Sequence, residues 1–180
     1  MSQTLRSLAR AFRGAWRLLA GSGGAPAAPR RPAATTKTRR KPAVGLSGTY
    51  PGDFQGRSTV RYNPAANGQP EPGEIVWTWV PFEEDHGRGK DRPVLLVGTH
   101  GRYLLGLMLT SKDHDGDDRR AQDYVDIGTG PWDRQWRPSE ARLDRVLQIN
   151  PLDVRREGAI LDAGRFGDIS AALRSRHGWS

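Results

Sequence analysis

Three short apolar runs between residues 73 and 111 constrain the fold of this chain more than any other feature. The first, 73–80, is rich in β-branched and aromatic residues and is bounded by prolines. The second, 94–97, and the third, 103–109, are separated by a His-Gly-Arg turn. Apolar runs this short, closed by Gly and Pro, are typical of strands rather than helices. We therefore predict three consecutive strands of a small sheet.

Polar side chains lie where these predicted strands meet their loops. Arg92 stands just before the second run, and Thr110 and Ser111 follow the third. Because residues at strand ends converge at one edge of a small sheet, we expect these three side chains to lie close together. The charged loop 81–91 is long for a hairpin connection, and such loops are often functional. Its candidate functional residues are His86, Arg88 and Lys90.

The rest of the second half of the chain supplies further elements. We predict a wrap over 53–72, with a short edge strand at 58–62, then strands at 123–128 and 140–149. Asp162 is a predicted N-cap of a final helix, whose narrow apolar face consists of Phe166, Ile169 and Leu173. Five strands, one terminal helix and Gly/Pro-rich turns indicate a mainly β fold, a small barrel closed by a C-terminal helix.

Four pieces of this pattern carry a resemblance to a known family. They are residues 73–77 (Gly-Glu-Ile-Val-Trp), 92–97 (Arg-Pro-Val-Leu-Leu-Val), 109–111 (Leu-Thr-Ser) and 142–144 (Arg-Leu-Asp). In this order and spacing they resemble the PemK/MazF family, the ribonuclease toxins of bacterial toxin–antitoxin pairs, over residues 72–175. The resemblance implies an SH3-like barrel of the PemK/MazF/CcdB type, a homodimer, and cleavage of single-stranded mRNA without a metal or other cofactor. It also implies an antitoxin protein as a partner.

The same resemblance assigns catalytic residues. Arg92 matches the family's catalytic Arg, Thr110 its catalytic Thr, Arg142 and Asp144 an Arg-x-Asp of some members, and His86 a loop His. The RNA 2′-hydroxyl attacks the adjacent phosphorus, and a guanidinium can clamp the phosphoryl oxygens as negative charge grows on them. A guanidinium is a poor base at neutral pH. The general base therefore stays open between His86 and Asp144, and the Glu-Gln pair common in the family's loop is absent here.

Five further residues are candidates for substrate binding: Ser111, Lys90, Arg88, Trp132 and Trp136. The two tryptophans lie among arginines, and aromatic rings in such a setting can stack on unpaired bases. The alternative is that they cover one end of the barrel, as large aromatic side chains usually do.

The N-terminal part differs in charge from the rest. Residues 1–52 hold ten Lys or Arg and no Asp or Glu, whereas residues 53–180 hold 18 basic and 20 acidic residues. Residues 1–20 have the spacing of a basic amphipathic helix, and residues 21–52 have the Pro/Ala/Gly/Arg composition of a disordered linker. This arm is either a weak membrane or RNA contact or a loosely ordered extension. The barrel domain is predicted over 53–180.

Two further observations bear on the class of protein. The chain has no Cys, which excludes disulfides and thiolate metal sites and is compatible with the predicted cytoplasmic location. The alternating Asp residues of loop 112–120 fail the calcium-loop pattern, because Asp118 stands where a Gly is needed and Tyr124 where a Glu is needed. The alternatives are a solvated loop, which we favour, and a divalent ion held by Asp113, His114 and Asp115. The main alternative function is a non-catalytic nucleic-acid-binding or gyrase-type protein-binding module on the same barrel. A regulator tethered through the basic arm is another.

Overall fold

The structure, a computed structural model, describes residues 45–65, 67–111 and 121–180, all within one compact unit, Arg40–Ser180. Its strands are β1 (Glu74–Pro81), β2 (Gly89–His100), β3 (Tyr103–Thr110), β4 (Tyr124–Gly128), β5 (Ser139–Ile149) and β6 (Val154–Ile160), and its helix is α1 (Ala163–His177). Short 3-10 helices, Ala121–Asp123 and Pro151–Asp153, precede β4 and β6. The predicted mainly β fold with a C-terminal helix is confirmed.

Three predicted features fall outside the described residues. They are the basic amphipathic helix at 1–20, most of the linker at 21–52, and the acidic loop at 112–120. Residues 45–52, the last part of the predicted linker, are described and contact the domain. The backbone N–H of Ser47 donates to Asp153 Oδ1 at 2.7 Å, and Gln148 Nε2 donates to the carbonyl of Gly52 at 3.1 Å.

The six strands form one antiparallel sheet in the order β4-β5-β3-β2-β1-β6. Because side chains alternate along a strand, the sheet carries a hydrophobic cluster on each face. One cluster includes Ile75, Leu95 and the inner side of α1, and the other includes Val76 and Val94. Register shifts interrupt every one of the strand pairs except β1–β2, and such bulges increase the bend of a sheet.

The bend brings opposite margins of the sheet together. The connection between β4 and β5 holds Trp132, whose Cβ lies 3.4 Å from a Cβ placed on Gly158 of the other outer strand, β6. Trp77 Nε1 in β1 also donates to the carbonyl of Trp132 at 3.2 Å. The sheet is therefore curled into a barrel-like form.

The helix forms as its sequence predicts. Asp162 is the N-cap, and its side chain accepts a hydrogen bond from the backbone N–H of Arg165 at 3.0 Å. Gly178 ends the helix with φ of 63°, in the left-handed region that glycine adopts without strain. Phe166, Ile169 and Leu173 are buried against the sheet.

Three sequence predictions about elements need correction. β2 begins at Gly89 rather than at residue 94, so the loop before it is 82–88. A sixth strand, β6, was not predicted, because its charged residues and central glycine show no apolar alternation. Residues 58–62 are not a strand of the sheet. They make hydrogen bonds on two sides instead. The backbone N–H of Val60 donates to the carbonyl of Ser180 at 2.8 Å, and that of Arg61 donates to the carbonyl of Val97 in β2 at 3.0 Å.

Candidate active site

A cavity opens where strands β2 and β3 part. The hydrogen-bonded register between them starts at Val94 and Met108, and the residue before Val94 is Pro93, which has no N–H to donate to a neighbouring strand. β3 pairs with β5 along its length, and this pairing continues beyond that point, through Leu109 and Thr110. The resulting cavity of about 330 Å³ is lined by Trp77, Lys90, Asp91, Arg92, Pro93, Leu109, Thr110, Ser111, Asp133, Arg137 and Ser139.

Four of the ten predicted site residues line this cavity: Arg92, Thr110, Ser111 and Lys90. Arg92 lies opposite Thr78 of β1 in the register of the sheet, and its side chain is partly exposed. Thr110 and Ser111 stand at the end of β3, as the strand-end argument predicts. The structure thus brings Arg92, Thr110 and Ser111 to one cavity, with Arg92 inside β2 rather than before it.

Lys90 belongs to a wider group of cations on the β1–β2 hairpin. Its Nζ lies 5.9 Å from the ring centre of Phe82, and the guanidinium carbon of Arg88 lies 5.7 Å from the same centre. Arg88 is exposed at the tip of the hairpin and is not among the described residues that line the cavity. Carboxylates are interspersed with these cations on the same hairpin, at Glu83, Glu84, Asp85 and Asp91.

Two more of the predicted catalytic residues, Arg142 and Asp144, lie beside loop 82–88. Arg142 donates from Nε and Nη2 to the two carboxylate oxygens of Asp144, at 2.6 and 2.7 Å, and from Nη1 to Glu83 Oε1 at 2.5 Å. The hydrogen bond to Asp144 is the main cause that raises the pKa of Arg142 above its usual value, with Glu83 adding to it and burial opposing it. The pair is therefore a fixed ionic link between β5 and the loop.

His86 lies on the same loop and contacts the ring of Tyr50 edge to face, with ring centres 5.0 Å apart. Among the described residues that line the cavity, Arg142, Asp144 and His86 do not appear. The structure thus divides the predicted catalytic residues into two groups, one in the cavity and one at the loop.

The two predicted tryptophans have different surroundings. Trp132 is 3 % exposed and its Nε1 donates to Ser139 Oγ at 3.1 Å, so its ring is part of the core and is not available to a base. Its prediction as a substrate-binding residue is corrected on that ground. Trp136 is 60 % exposed and has φ of 54°, which is uncommon for a bulky residue.

Sequence reasoning missed Asp133 as a lining residue. Asp133 Oδ2 accepts a hydrogen bond from Arg137 Nε at 2.7 Å, and this contact is the main cause that lowers the pKa of Asp133. Its Oδ1 accepts from the backbone N–H of Gln135 at 2.9 Å. The Gly-Pro-Trp-Asp sequence signals a turn, but nothing in it indicates that the turn folds over the cavity.

In the part of the chain that the structure describes, no three His, Cys, Asp or Glu side chains cluster as a metal site would require. No helix there is both long and apolar enough to cross a membrane.

Most of the described domain matches the model of a known protein family. Residues 71–176 match the model of the PemK-like, MazF-like toxin of type II toxin–antitoxin systems. This match spans more than half of the chain, and the chain belongs to that family. A comparison with curated proteins gave no match.

Solved structures of toxins show a general likeness to the chain. The Mycobacterium tuberculosis toxin MazF-mt6 is 16% identical, with a TM-score of 0.43, over 59% of this chain and 98% of the toxin. A Deinococcus radiodurans MazE–MazF crystal structure is 17% identical, with a TM-score of 0.47, over 62% of this chain and 97% of that chain. An endoribonuclease in complex with its cognate antitoxin, from a mycobacterial species, is 15% identical, with a TM-score of 0.46, over 61% and 95% of the two chains.

Proposed function

We propose that this toxin-family protein is an endoribonuclease that cleaves single-stranded RNA without a metal ion. The observation that carries the proposal is the cavity that holds Arg92 together with Thr110 and Ser111. A guanidinium beside two hydroxyl groups, with Lys90 at the same cavity, is suited to a phosphodiester, which is anionic and accepts several hydrogen bonds.

In the proposed reaction, the ribose 2′-oxygen attacks the adjacent phosphorus and its proton passes to a base. The bond from phosphorus to the 5′-oxygen breaks, and that oxygen takes up a proton, which leaves a 2′,3′-cyclic phosphate and a 5′-hydroxyl. Arg92 stabilises the charge that grows on the phosphoryl oxygens, and the Thr110 hydroxyl donates a further hydrogen bond to them.

Arg142 and Asp144 support the proposal because they hold loop 82–88 in place. The pair of Arg142 and Asp144 holds Glu83 and so fixes loop 82–88 to the sheet. Both oxygens of Asp144 are already engaged by Arg142, which makes Asp144 the weaker candidate for the base. We propose His86, which is exposed on that loop, as the base. It is not among the described residues that line the cavity, so this assignment requires the RNA to extend from the cavity to the loop.

The decisive experiment measures cleavage of a mixed-sequence single-stranded RNA by the antitoxin-free full chain in EDTA. We expect cleavage by the parent protein and a loss of at least about 100-fold in Arg92→Ala, the scale of removing one transition-state donor. Arg61→Ala is the matched control, because Arg61 is exposed and does not line the cavity. Equal cleavage by Arg92→Ala and the parent would refute the mechanism. RNA binding without cleavage by the folded parent would favour the non-catalytic binding module.

Two protein partners follow from the family. A toxin of a type II system is neutralised by an antitoxin protein, and we propose that this chain has one and that it forms a homodimer. Light scattering on the purified full chain tests the dimer, and a monomer at all concentrations would contradict it.

A further inference from the structure

Two carboxylates line the cavity, those of Asp91 and Asp133. Asp91 is exposed and its Oδ1 lies 3.6 Å from Arg155 Nε, whereas Asp133 is the more enclosed of the two and is at odds with a cavity that only binds phosphate. It lines the same cavity as Lys90 and Arg92, and an anion placed beside a phosphate repels it. A carboxylate in an RNA site is favourable where it meets hydrogen-bond donors, and in RNA the bases carry such donors on their edges.

The hydrogen bonds that the two carboxylate oxygens of Asp133 already accept determine which further donors they can bind. Oδ1 accepts one hydrogen bond from Gln135 and Oδ2 accepts one from Arg137. The backbone N–H of Arg137 adds a weaker contact. Since each oxygen of an ionised carboxylate has two acceptor positions, each oxygen has one position without a hydrogen bond of good geometry. The contact with Arg137 lowers the pKa of Asp133, so the group stays ionised at neutral pH and only accepts. Its side chain is 13 % exposed, so it remains accessible from the cavity.

Guanine matches two adjacent acceptors better than the other bases do. Its Watson–Crick edge presents N1–H and an N2 amino hydrogen side by side. Adenine and cytosine present one amino group next to an acceptor nitrogen, and uracil presents one N–H between two carbonyl oxygens. A carboxylate with one free position on each oxygen can thus satisfy both donors of guanine, whereas it would face an acceptor of the other bases.

We propose that Asp133 binds the Watson–Crick edge of a guanine in the RNA that enters the cavity, and that it determines base specificity there. The proposal rests on the proposed function for the identity of the ligand as RNA. Trp136 lies on the same turn, and its backbone N–H donates to the carbonyl of Asp133 at 3.0 Å. This exposed residue is not among the described residues that line the cavity, and the proposal does not depend on it.

The test replaces guanosine by inosine, one position at a time, in a single-stranded RNA that the full chain cleaves. Inosine lacks only the N2 amino group, so it removes one of the two donors. We expect kcat/KM to fall about tenfold at one position for the parent protein, the scale of one hydrogen bond to a charged group. In Asp133→Asn, which keeps the size of the side chain and the bond from Gln135, the guanosine-to-inosine ratio falls to about one.

Arg134→Gln is the matched control, because Arg134 is exposed on the same turn and is not among the described residues that line the cavity. It removes a charge but keeps the Asp133 carboxylate and its ion pair, so the parent's guanosine-to-inosine ratio persists. If Asp133 only shapes the turn through Gln135 and Arg137, Asp133→Asn lowers cleavage of both RNAs equally and leaves the ratio unchanged. That result overturns the proposal, and so does an Arg134→Gln variant that loses the ratio.

A binding measurement separates this proposal from the ribonuclease function. Fluorescence anisotropy with RNAs whose 2′-oxygens are methylated reports affinity without cleavage. Guanosine-selective binding that disappears in Asp133→Asn supports the proposal even if the parent protein cleaves nothing. Cleavage without guanosine selectivity at any position overturns the proposal and leaves the ribonuclease function standing.

Discussion

The guanidinium of Arg145 is 5 % exposed, and its partners explain how a charged side chain is retained there. Its Nε donates to Asp53 Oδ2 and its Nη1 to the carbonyl of Pro81, both at 2.7 Å. Asp53 Oδ1 in turn accepts from the hydroxyl of Tyr50 at 2.5 Å. A buried charge is tolerated when it is paired and hydrogen-bonded; here two of the three guanidinium nitrogens are, while Nη2 is buried without a hydrogen-bond partner among the described residues. This network therefore fixes the segment around Tyr50 and Asp53 to the end of β1.

Tyr50→Phe tests this network. Burial first, and then the hydrogen bond to Asp53, raise the pKa of Tyr50. The folded state favours the neutral phenol. The contribution of neutral Tyr50 to the free energy of unfolding is therefore present below the ordinary tyrosine pKa of about 10 and declines as pH rises above it. We expect the variant to lose about 1 kcal/mol in the free energy of unfolding at pH 7.

Urea unfolding at neutral pH and just above pH 10 provides the measurement. The difference between parent and variant should shrink at the higher pH, since the parent alone loses the contribution of the neutral Tyr50. A difference of the same size at both pH values would contradict the assignment.

Strand β2 shows how a local irregularity creates the site. Its first residues pair with β1, where Arg92 lies opposite Thr78, while its register with β3 starts only at Val94. Proline inside a strand removes a ladder hydrogen bond, and it is tolerated where a neighbouring strand diverges. The sheet is therefore continuous around Leu95 and open at Arg92.

Gly106 tests how tightly the continuous part of the sheet is packed. A Cβ placed on it would lie 2.5 Å from Val94 Cγ1 and 2.8 Å from Ile149 Cδ1. Because overpacking a core forces side chains from their preferred rotamers, Gly106→Ala should lower the free energy of unfolding by about 1–3 kcal/mol. Denaturant unfolding measures this value.

Gly167→Ala is the control within α1. A Cβ there has nothing within 4 Å, and alanine is the better helix former, so we expect a gain of about 0.5–1 kcal/mol. If Gly106→Ala left the free energy of unfolding unchanged, the two neighbouring side chains would move aside at no cost.

At the scale of the whole molecule, the last residues of the chain close the domain against the wrap that precedes β1. Trp179 is 4 % exposed, its Nε1 donates to the carbonyl of Gly56 at 3.0 Å, and its ring packs edge to face on Phe54. The backbone N–H of Ser180 donates to the carbonyl of Ser58 at 3.1 Å. These contacts join segments from opposite ends of the domain over the cluster beneath α1.

Trp179→Ala should therefore destabilise the domain as a whole. Removing a buried Trp costs about 3–5 kcal/mol through lost transfer energy and the cavity that remains. Thermal unfolding followed by circular dichroism measures the effect. Leu152→Ala is the control, because Leu152 is 82 % exposed and such a change stays within about 0.5 kcal/mol. A similar melting temperature for both variants would mean that the closure is unimportant.

Much of the fold could be predicted because its signals are local. Strands β1 and β3 are short apolar runs closed by turns, and α1 has a cap at Asp162 and a stop at Gly178. The position of Thr110 follows from the same runs, since it ends β3. Arg92 is predicted just before its strand but lies inside β2, because β2 begins three residues earlier, at Gly89. Strand β6 has no comparable signal, because it gains its partner, β1, only after the chain has folded back across the sheet.

The sequence alone determined the class of fold, the family resemblance and the polar residues at the strand ends, because propensity, periodicity and motif spacing act over a few residues. Only the tertiary structure decided that Trp132 is buried while Trp136 is exposed, that Asp133 lines the cavity, and that Arg142 pairs with Glu83. These outcomes depend on contacts between residues far apart in the chain. Their energies are set by burial and by which partners the curled sheet brings within hydrogen-bonding distance.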